Sequence, residues 1–261
     1  MEPAHQPIET FGAALEREPA AGLRRIPLAV RRGAETVPAI VWLPSGDAEP
    51  SGLVLVGHGA GGHKAAPIVE GVAGALTRLG CAALSIDQPY HGDRTPPDEA
   101  DLSAGERRDR MGLDAWRERN ARAVPEGVAD WQAALDAAQA LYEVRNARVG
   151  YFGLSLGARY GVPLVAAEPR ISAAVLGLWG YAAATDPLSV AEAARQITIP
   201  VLFLLQWDDE LFPREGGLAL FDLLASRSKR LHASPGRHME IPPAEIRAAI
   251  RFLTDELSRS R

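Results

Sequence analysis

The sequence predicts a mostly parallel β-sheet with α-helices packed on both faces. Short segments that are apolar at almost every position alternate with amphipathic helical segments from residue 53 onward. Strands of a parallel sheet have this composition because helices cover both of its faces. The length of 261 residues suits one large α/β domain, and the sequence contains no internal repeat. We therefore predict a single domain over residues 1–261.

The predicted elements follow one another in a regular order. After a short leader, two extended segments at 23–31 and 36–43 are separated by a turn at Gly33. Further strands are predicted at 53–56, 82–86, 148–152, 171–178, 200–205 and 230–233, and all of them except the last are largely apolar. Helices share an apolar stripe and lie at 67–79, 125–141, 155–166, 214–224 and 243–257, with short elements at 181–196. Pro125 is predicted to begin its helix, because proline suits the first helical turn.

One charged segment, residues 93–122, interrupts this alternation. It contains eight acidic residues and seven arginines, far more charge than its surroundings. Such a segment can be a solvated helical excursion between a strand and a helix. It can also be a cap over a binding site, since long insertions at strand ends often serve as lids. In the second case Leu102, Met111, Leu113 and Trp116 would face inward.

The charge and cysteine content exclude several classes of partner and site. A net charge of −5 leaves no basic field to attract nucleic acid or anionic lipid. Cys81 is the sole cysteine, which excludes an internal disulfide and a thiolate metal cluster. The longest uncharged stretch, 171–185, is shorter than the ~20 residues that cross a bilayer. Residues 1–10 lack the apolar run of a secretory signal, so we expect a soluble, cytoplasmic protein.

A candidate nucleophile lies between a predicted strand and a predicted helix. Residues 153–157 read Gly-Leu-Ser-Leu-Gly, with Ser155 at the centre. Glycines on both sides allow the chain to turn steeply, which exposes the serine hydroxyl above the carboxyl edge of the sheet. The helix that follows directs unpaired N–H groups toward negative charge that develops there.

This segment resembles the nucleophile elbow of the α/β-hydrolase superfamily, in which an acid and then a histidine follow the serine along the chain. A serine needs a base to become nucleophilic, and the base needs an orienting carboxylate. The resemblance implies that the acid lies four residues before Pro213, at Asp209, although Asp208 is a competing candidate. It also implies that the base is His238, in the loop after the last short strand.

The same resemblance implies the groups that bind an oxyanion. The backbone N–H of Leu156, just after the serine, is one expected donor. The loop from Gly57 resembles the His-Gly oxyanion loop, in which the N–H of the following residue donates, here Ala60. His58 is expected to brace this loop by hydrogen bonding, and Asp87 and His91 after the next strand are expected to be structural.

The order and spacing of these segments resemble those of dienelactone-hydrolase-like esterases over nearly the whole chain from residue 24. The best-known members use a cysteine nucleophile, whereas this chain has Ser155. The resemblance implies hydrolysis of a small carboxylic ester, lactone or thioester through an acyl-enzyme, without a metal or cofactor. Acyl transfer to an alcohol and hydrolysis of a C–C bond are alternatives on the same fold. The partner is a small-molecule ester, and the oligomeric state is left open.

Two further interpretations compete with this one. The loop at 57–62 also fits Gly-x-Gly-x-x-Gly, and Asp87 ends the next strand, as in a nicotinamide dinucleotide site. That oxidoreductase would leave Ser155, Asp209 and His238 without a role. A binding protein without catalysis is the other alternative, but each position of the implied triad holds a competent residue.

Overall fold

A computed structural model describes residues 24–46, 48–141, 144–181 and 189–259. The predicted leader and residues 182–188 of the predicted short elements lie outside these ranges. Eight strands of the described chain form one sheet in the order β1-β2-β4-β3-β5-β6-β7-β8. β1 pairs antiparallel with β2, and β2 pairs antiparallel with β4, while the pairs from β4 to β8 are parallel. The predicted mostly parallel sheet is confirmed.

The strands lie within two residues of the predicted bounds. They are β1 (Arg24–Arg32), β2 (Glu35–Leu43), β3 (Leu53–Gly57), β4 (Ala82–Ile86), β5 (Val149–Leu154), β6 (Ile171–Gly177), β7 (Val201–Gln206) and β8 (Lys229–Ser234). β3 and β4 are buried at every position, as are β5 and β7. Their largely apolar sequences therefore have the expected cause, burial on both faces.

The helices connect the strands and cover the sheet. They are α1 (Pro67–Arg78), α2 (Ala104–Met111), α3 (Leu113–Ala140), α4 (Leu156–Ala167), α5 (Ser189–Ala194), α6 (Arg214–Leu223) and α7 (Pro243–Ser258). Short 3₁₀ turns occupy Gly92–Arg94 and Pro97–Glu99. Within the described ranges, no helix is long and apolar enough to cross a bilayer.

Two hydrophobic clusters lie on opposite faces of the sheet. One contains buried residues of α3, α4, α5 and α6, and the other contains buried residues of α1 and α7. Neighbouring residues of β5 show the alternation, since Tyr151 belongs to the first cluster and Phe152 to the second. Helices on both faces leave the edge at the carboxyl ends of the parallel strands accessible, and sites of α/β sheets form there.

The predicted helix start at Pro125 is wrong. α3 begins twelve residues earlier, at Leu113, and Pro125 lies inside it. The turns before the proline are held by tertiary packing, because Ala123 is buried against Leu156 and Tyr160. Such packing offsets the backbone hydrogen bond that an internal proline removes.

The charged segment is helical at α2 and at the start of α3, as one of its two interpretations expects. Leu102, Met111 and Trp116 are partly buried. The expectation that Leu113 faces inward is wrong, since it is 50% exposed. It is the first residue of α3, after the Gly112 turn, and most of its surface faces solvent.

Candidate active site

Ser155 occupies a strained turn between β5 and α4. Its backbone angles are φ 57° and ψ −120°, outside the regions that a serine ordinarily adopts. The turn is also crowded, since a Cβ at Gly153 would lie 2.6 Å from the carbonyl oxygen of Gly157. A Cβ at Gly157 would lie 3.0 Å from the carbonyl oxygen of Gly57 on β3. Both glycines of the motif are therefore required by close approach of backbone.

A buried tyrosine that the sequence analysis missed fastens this turn. The Tyr151 hydroxyl donates a hydrogen bond of 2.6 Å to the carbonyl oxygen of Gly157 in the first turn of α4. Burial raises the pKa of Tyr151 well above its usual value, so the hydroxyl keeps its proton. Its only sequence signal is its place in β5, four residues before Ser155.

Three side chains that are distant in sequence form one hydrogen-bonded relay. His238 Nε2 lies 2.9 Å from Ser155 Oγ. On the other side of the ring, His238 Nδ1 lies 2.7 Å from Asp209 Oδ2. A carboxylate only accepts, so Nδ1 carries the proton and Nε2 is left to accept from the serine hydroxyl. An imidazole held in this tautomer can remove a proton from the hydroxyl.

The two adjacent aspartates have different surroundings. Asp209 is buried, and its Oδ1 accepts from the N–H groups of Leu211 and Phe212 at 2.8 and 2.9 Å. Asp208 is exposed, and its Oδ2 accepts from the Gly236 N–H at 3.2 Å. Asp209 is therefore the aspartate in contact with His238, and Asp208 ties the two loops together.

The loop that carries His238 is held by neighbours that the sequence analysis also missed. The Glu210 carboxylate accepts the His238 backbone N–H at 2.9 Å, which lowers the pKa of Glu210. The Phe212 ring lies 5.6 Å from the imidazole and 4.6 Å from the Trp179 ring. Glu210 and Phe212 both follow Asp209 closely, and that proximity is the one signal that could have found them.

The predicted oxyanion donors lie on two neighbouring segments. Leu156 is the first residue of α4, so its N–H has no acceptor within the helix. Ala60 lies in the loop after β3, where Gly62 N–H donates to the carbonyl oxygen of Gly59 at 3.0 Å. This small turn places Ala60 at the same edge of the sheet as Leu156, because β3 and β5 are parallel neighbours.

His58 braces this loop, as expected. Its Nδ1 lies 2.8 Å from the Gly59 carbonyl oxygen, and its Nε2 accepts from the Gln88 N–H at 3.1 Å. Burial and the nearby His91 ring lower the pKa of His58 to about 4. The ring is therefore neutral at pH 7, and both of its nitrogens are used for structure.

The Asp87 carboxylate is likewise occupied within the protein. It accepts from the backbone N–H and the Nζ of Lys64, each at 2.8 Å, and from the Asp93 N–H at 2.9 Å. A dinucleotide site needs this carboxylate for a ribose hydroxyl. The contacts of Asp87 therefore do not favour the oxidoreductase interpretation.

The histidine of β8 is paired with a glutamate. His232 Nδ1 lies 2.7 Å from Glu245 Oε2, away from the relay. Among the residues that the structure describes, no group of three or more His, Cys, Asp and Glu side chains could hold a metal ion.

Comparison with known proteins identifies the family. The model of the dienelactone hydrolase family matches residues 37–228, well over half of the chain. The chain belongs to the dienelactone hydrolase family. No curated protein matches its sequence significantly.

Solved structures agree with this membership. A cold-adapted esterase from an Arctic intertidal metagenomic library is 35% identical, with a TM-score of 0.74 over 92% of this chain and 96% of that chain. A dienelactone hydrolase from Anabaena variabilis is 21% identical, with a TM-score of 0.61 over 90% and 97%. Est1E from Butyrivibrio proteoclasticus is 18% identical, with a TM-score of 0.64 over 89% and 99%. The last two show the fold alone, which is the α/β-hydrolase fold. Family membership and the esterase neighbour together support a carboxylic ester hydrolase.

Proposed function

We propose that this dienelactone hydrolase family member cleaves a small carboxylic ester, lactone or thioester through an acyl-enzyme on Ser155. The observation that supports this most strongly is the relay from the Ser155 hydroxyl through the His238 imidazole to the Asp209 carboxylate, at 2.9 and 2.7 Å. The ring has the tautomer that acts as a base, and the serine has the partly exposed, strained position of a nucleophile.

In the first half of the reaction, Ser155 Oγ attacks the carbonyl carbon and its proton passes to His238 Nε2. A tetrahedral intermediate forms, with the negative charge on the former carbonyl oxygen. When it collapses, the bond to the leaving group breaks and His238 gives the proton to that group. Asp209 stabilises the imidazolium that exists between these two steps.

In the second half, a water molecule attacks the acyl-enzyme and gives a proton to His238 Nε2. The second tetrahedral intermediate releases the carboxylic acid, and the proton returns to Ser155 Oγ. The N–H groups of Ala60 and Leu156 donate to the oxyanion in both halves. Fixed backbone donors need little reorganisation as the charge develops, and one such donor is worth roughly 10²–10³ in rate.

The net charge and the free cysteine bear on the kind of substrate and on the compartment. The net charge of −5 favours a neutral or weakly charged small molecule over a polyanion. Cys81 is a free, buried thiol, which suits the reducing cytoplasm. We assign residues 93–122 to the same single domain as a cap.

Replacement of the nucleophile tests the proposal. Ser155→Ala should lower the turnover of p-nitrophenyl butyrate by ~10⁴-fold or more, while the urea unfolding midpoint stays near that of the wild type. Ser172→Ala is the matched control, because its hydroxyl bonds to Val149 in the sheet interior. Turnover by Ser155→Ala close to that of Ser172→Ala would overturn the proposal.

A further inference from the structure

A cavity of about 270 Å³ lies between the charged insertion, the loops after β3 and β4, and α4. Its walls come from four segments: Gly61 after β3, residues 89–91 after β4, seven residues between 100 and 120, and Tyr160 of α4. Pockets for drug-sized ligands span about 300–1,000 Å³. The space therefore suits a compact group.

The origin of the walls shows which side of the reaction centre the cavity occupies. No described residue from the loops after β6, β7 or β8 lines it, although those loops carry Asp209 and His238. Its wall includes Gly61, the residue next to Ala60. The cavity thus lies on the side of the oxyanion loop, away from His238.

The three substituents of the reacting carbonyl have separate places. The oxygen must face the N–H groups of Ala60 and Leu156. The leaving group must face His238, which gives it a proton. The acyl chain takes the remaining direction, which leads away from the histidine loop and toward the cavity.

Two polar groups of the cavity wall are uncharged, and its two arginines hold fixed contacts. Burial lowers the pKa of His91 and raises the pKa of Tyr160 to about 12, so both are uncharged at pH 7. Arg119 donates to both oxygens of Glu99 at 2.7 and 3.0 Å. Arg107 donates to the carbonyl oxygens of Leu102 and Tyr90 and lies 4.0 Å from Glu99. These contacts fix both guanidinium groups within the wall.

The aromatic part of the wall is held in a costly conformation. Tyr90 has φ 66°, a left-handed backbone that strains a bulky residue. The Arg119 guanidinium lies 4.5 Å from the Tyr90 ring centre and 5.2 Å from the Trp116 ring centre. One insertion arginine therefore fixes two aromatic rings of the cavity.

The insertion is also tied to the helix that follows Ser155. Arg159 Nη1 donates to Asn120 Oδ1 at 3.1 Å, and Nη2 donates to the Asn120 carbonyl oxygen at 2.9 Å. The Arg159 backbone N–H donates in turn to the Ser155 carbonyl oxygen. These contacts fix the position of the insertion, which forms part of the cavity wall, relative to Ser155.

We propose that this cavity is the acyl pocket and that it selects a compact acyl group, with Trp116 and Leu102 of the insertion setting its size. The inference rests on the proposed function of Ser155. It assigns the specificity of the enzyme to the charged insertion and leaves the leaving-group side to the loops after β7 and β8.

Two variants with opposite effects test the assignment. Rates are compared as kcat/KM over p-nitrophenyl esters from acetyl to octanoyl, which share one leaving group. Trp116→Ala enlarges the pocket. Each additional methylene group of the acyl chain that the pocket buries should raise kcat/KM about fourfold, so room for two more should raise the octanoyl-to-butyryl ratio of kcat/KM about 15-fold. Leu102→Trp narrows the pocket and should lower the same ratio. Leu113→Ala is the matched control, because Leu113 lies in the same helix as Trp116 but is 50% exposed.

A second substrate set separates the possible outcomes. With the butyryl group held constant and the alcohol varied, Trp116→Ala should leave the ratios unchanged. A changed alcohol profile or an unchanged acyl profile would each overturn the assignment. Loss of the nucleophile in Ser155→Ala is a separate result, so a wrong pocket is distinguishable from a wrong nucleophile.

Discussion

Replacing Asp209 by asparagine is expected to lower kcat by about 10⁴-fold while leaving the fold intact. In the wild type, Oδ1 accepts two backbone N–H groups and Oδ2 accepts the proton on His238 Nδ1. The amide oxygen of asparagine can keep the two backbone contacts, so its NH₂ group then faces Nδ1. Because that group donates, the imidazole must accept at Nδ1 and carry its proton on Nε2.

The magnitude follows from this change of tautomer. With a proton on Nε2, the ring cannot accept the proton of Ser155, and the imidazolium loses its buried counter-charge. A comparable exchange in a serine protease triad costs about 10⁴ in kcat, which corresponds to about 5.4 kcal/mol of transition-state stabilisation. Because the two backbone hydrogen bonds survive and the third is replaced by one from the amide to His238 Nδ1, the free energy of unfolding should fall by no more than about 1–2 kcal/mol.

The assay is the initial rate of p-nitrophenyl butyrate hydrolysis at saturating substrate, with urea unfolding measured on the same samples. Asp208→Asn is the matched control, since Asp208 is exposed and its contact with the Gly236 N–H can be kept by an amide oxygen. This control should retain kcat within a fewfold of the wild type. Equal losses in the two variants would refute the argument that Asp209 alone sets the tautomer.

Further predictions concern the elbow, the buried histidine and the insertion. Gly153→Ala should lower the free energy of unfolding by about 1–3 kcal/mol, because its Cβ would lie 2.6 Å from a backbone oxygen. Gly105→Ala is the control and should be tolerated, because its Cβ would meet no atom closer than 3.9 Å. The urea unfolding midpoints of the two variants give the comparison. The folded protein keeps His58 neutral down to about pH 4, whereas in the unfolded chain this histidine takes up a proton near pH 6.5. The free energy of unfolding should therefore fall by up to about 3 kcal/mol as the pH drops from 6.5 toward 4. Urea titrations of His58→Gln should therefore show a flatter pH dependence in that window, and an unchanged slope would contradict the buried neutral ring. Glu99→Gln leaves the buried Arg119 charge without its carboxylate and should cost about 2–3 kcal/mol, and an unchanged midpoint would mean that this pair does not hold the insertion.

Most of the fold follows from local patterns in the sequence. Largely apolar runs such as 53–56 and 82–86 identify buried parallel strands, and the structure confirms them within one residue. Helix α3 shows where local rules fail. Proline at position 125 normally marks a helix start, but packing of Ala123 on Leu156 and Tyr160 extends the helix in the other direction. Such long-range packing has no local signal.

The candidate site divides in a similar way. Motif and chain order were enough to nominate Ser155 and His238, which the structure brings together. Spacing alone favoured Asp209 over Asp208 only weakly. The side chains of adjacent residues point in different directions, and spacing along the chain does not show which of them points toward His238. Tyr151, which holds the first turn of α4, is apolar core by every sequence criterion. The aromatic wall of the cavity depends on contacts between the insertion and the loop after β4, and separation in sequence hides these contacts.

Covalent labelling with a fluorophosphonate, followed by proteolytic digestion and mass spectrometry of the peptides, tests most directly whether Ser155 is the nucleophile. If it is, one equivalent of reagent abolishes ester hydrolysis and the added mass lies on Ser155. Asp209→Asn should also label far more slowly than Asp208→Asn. Stoichiometric inactivation with the added mass on a different residue would show that Ser155 is not the nucleophile.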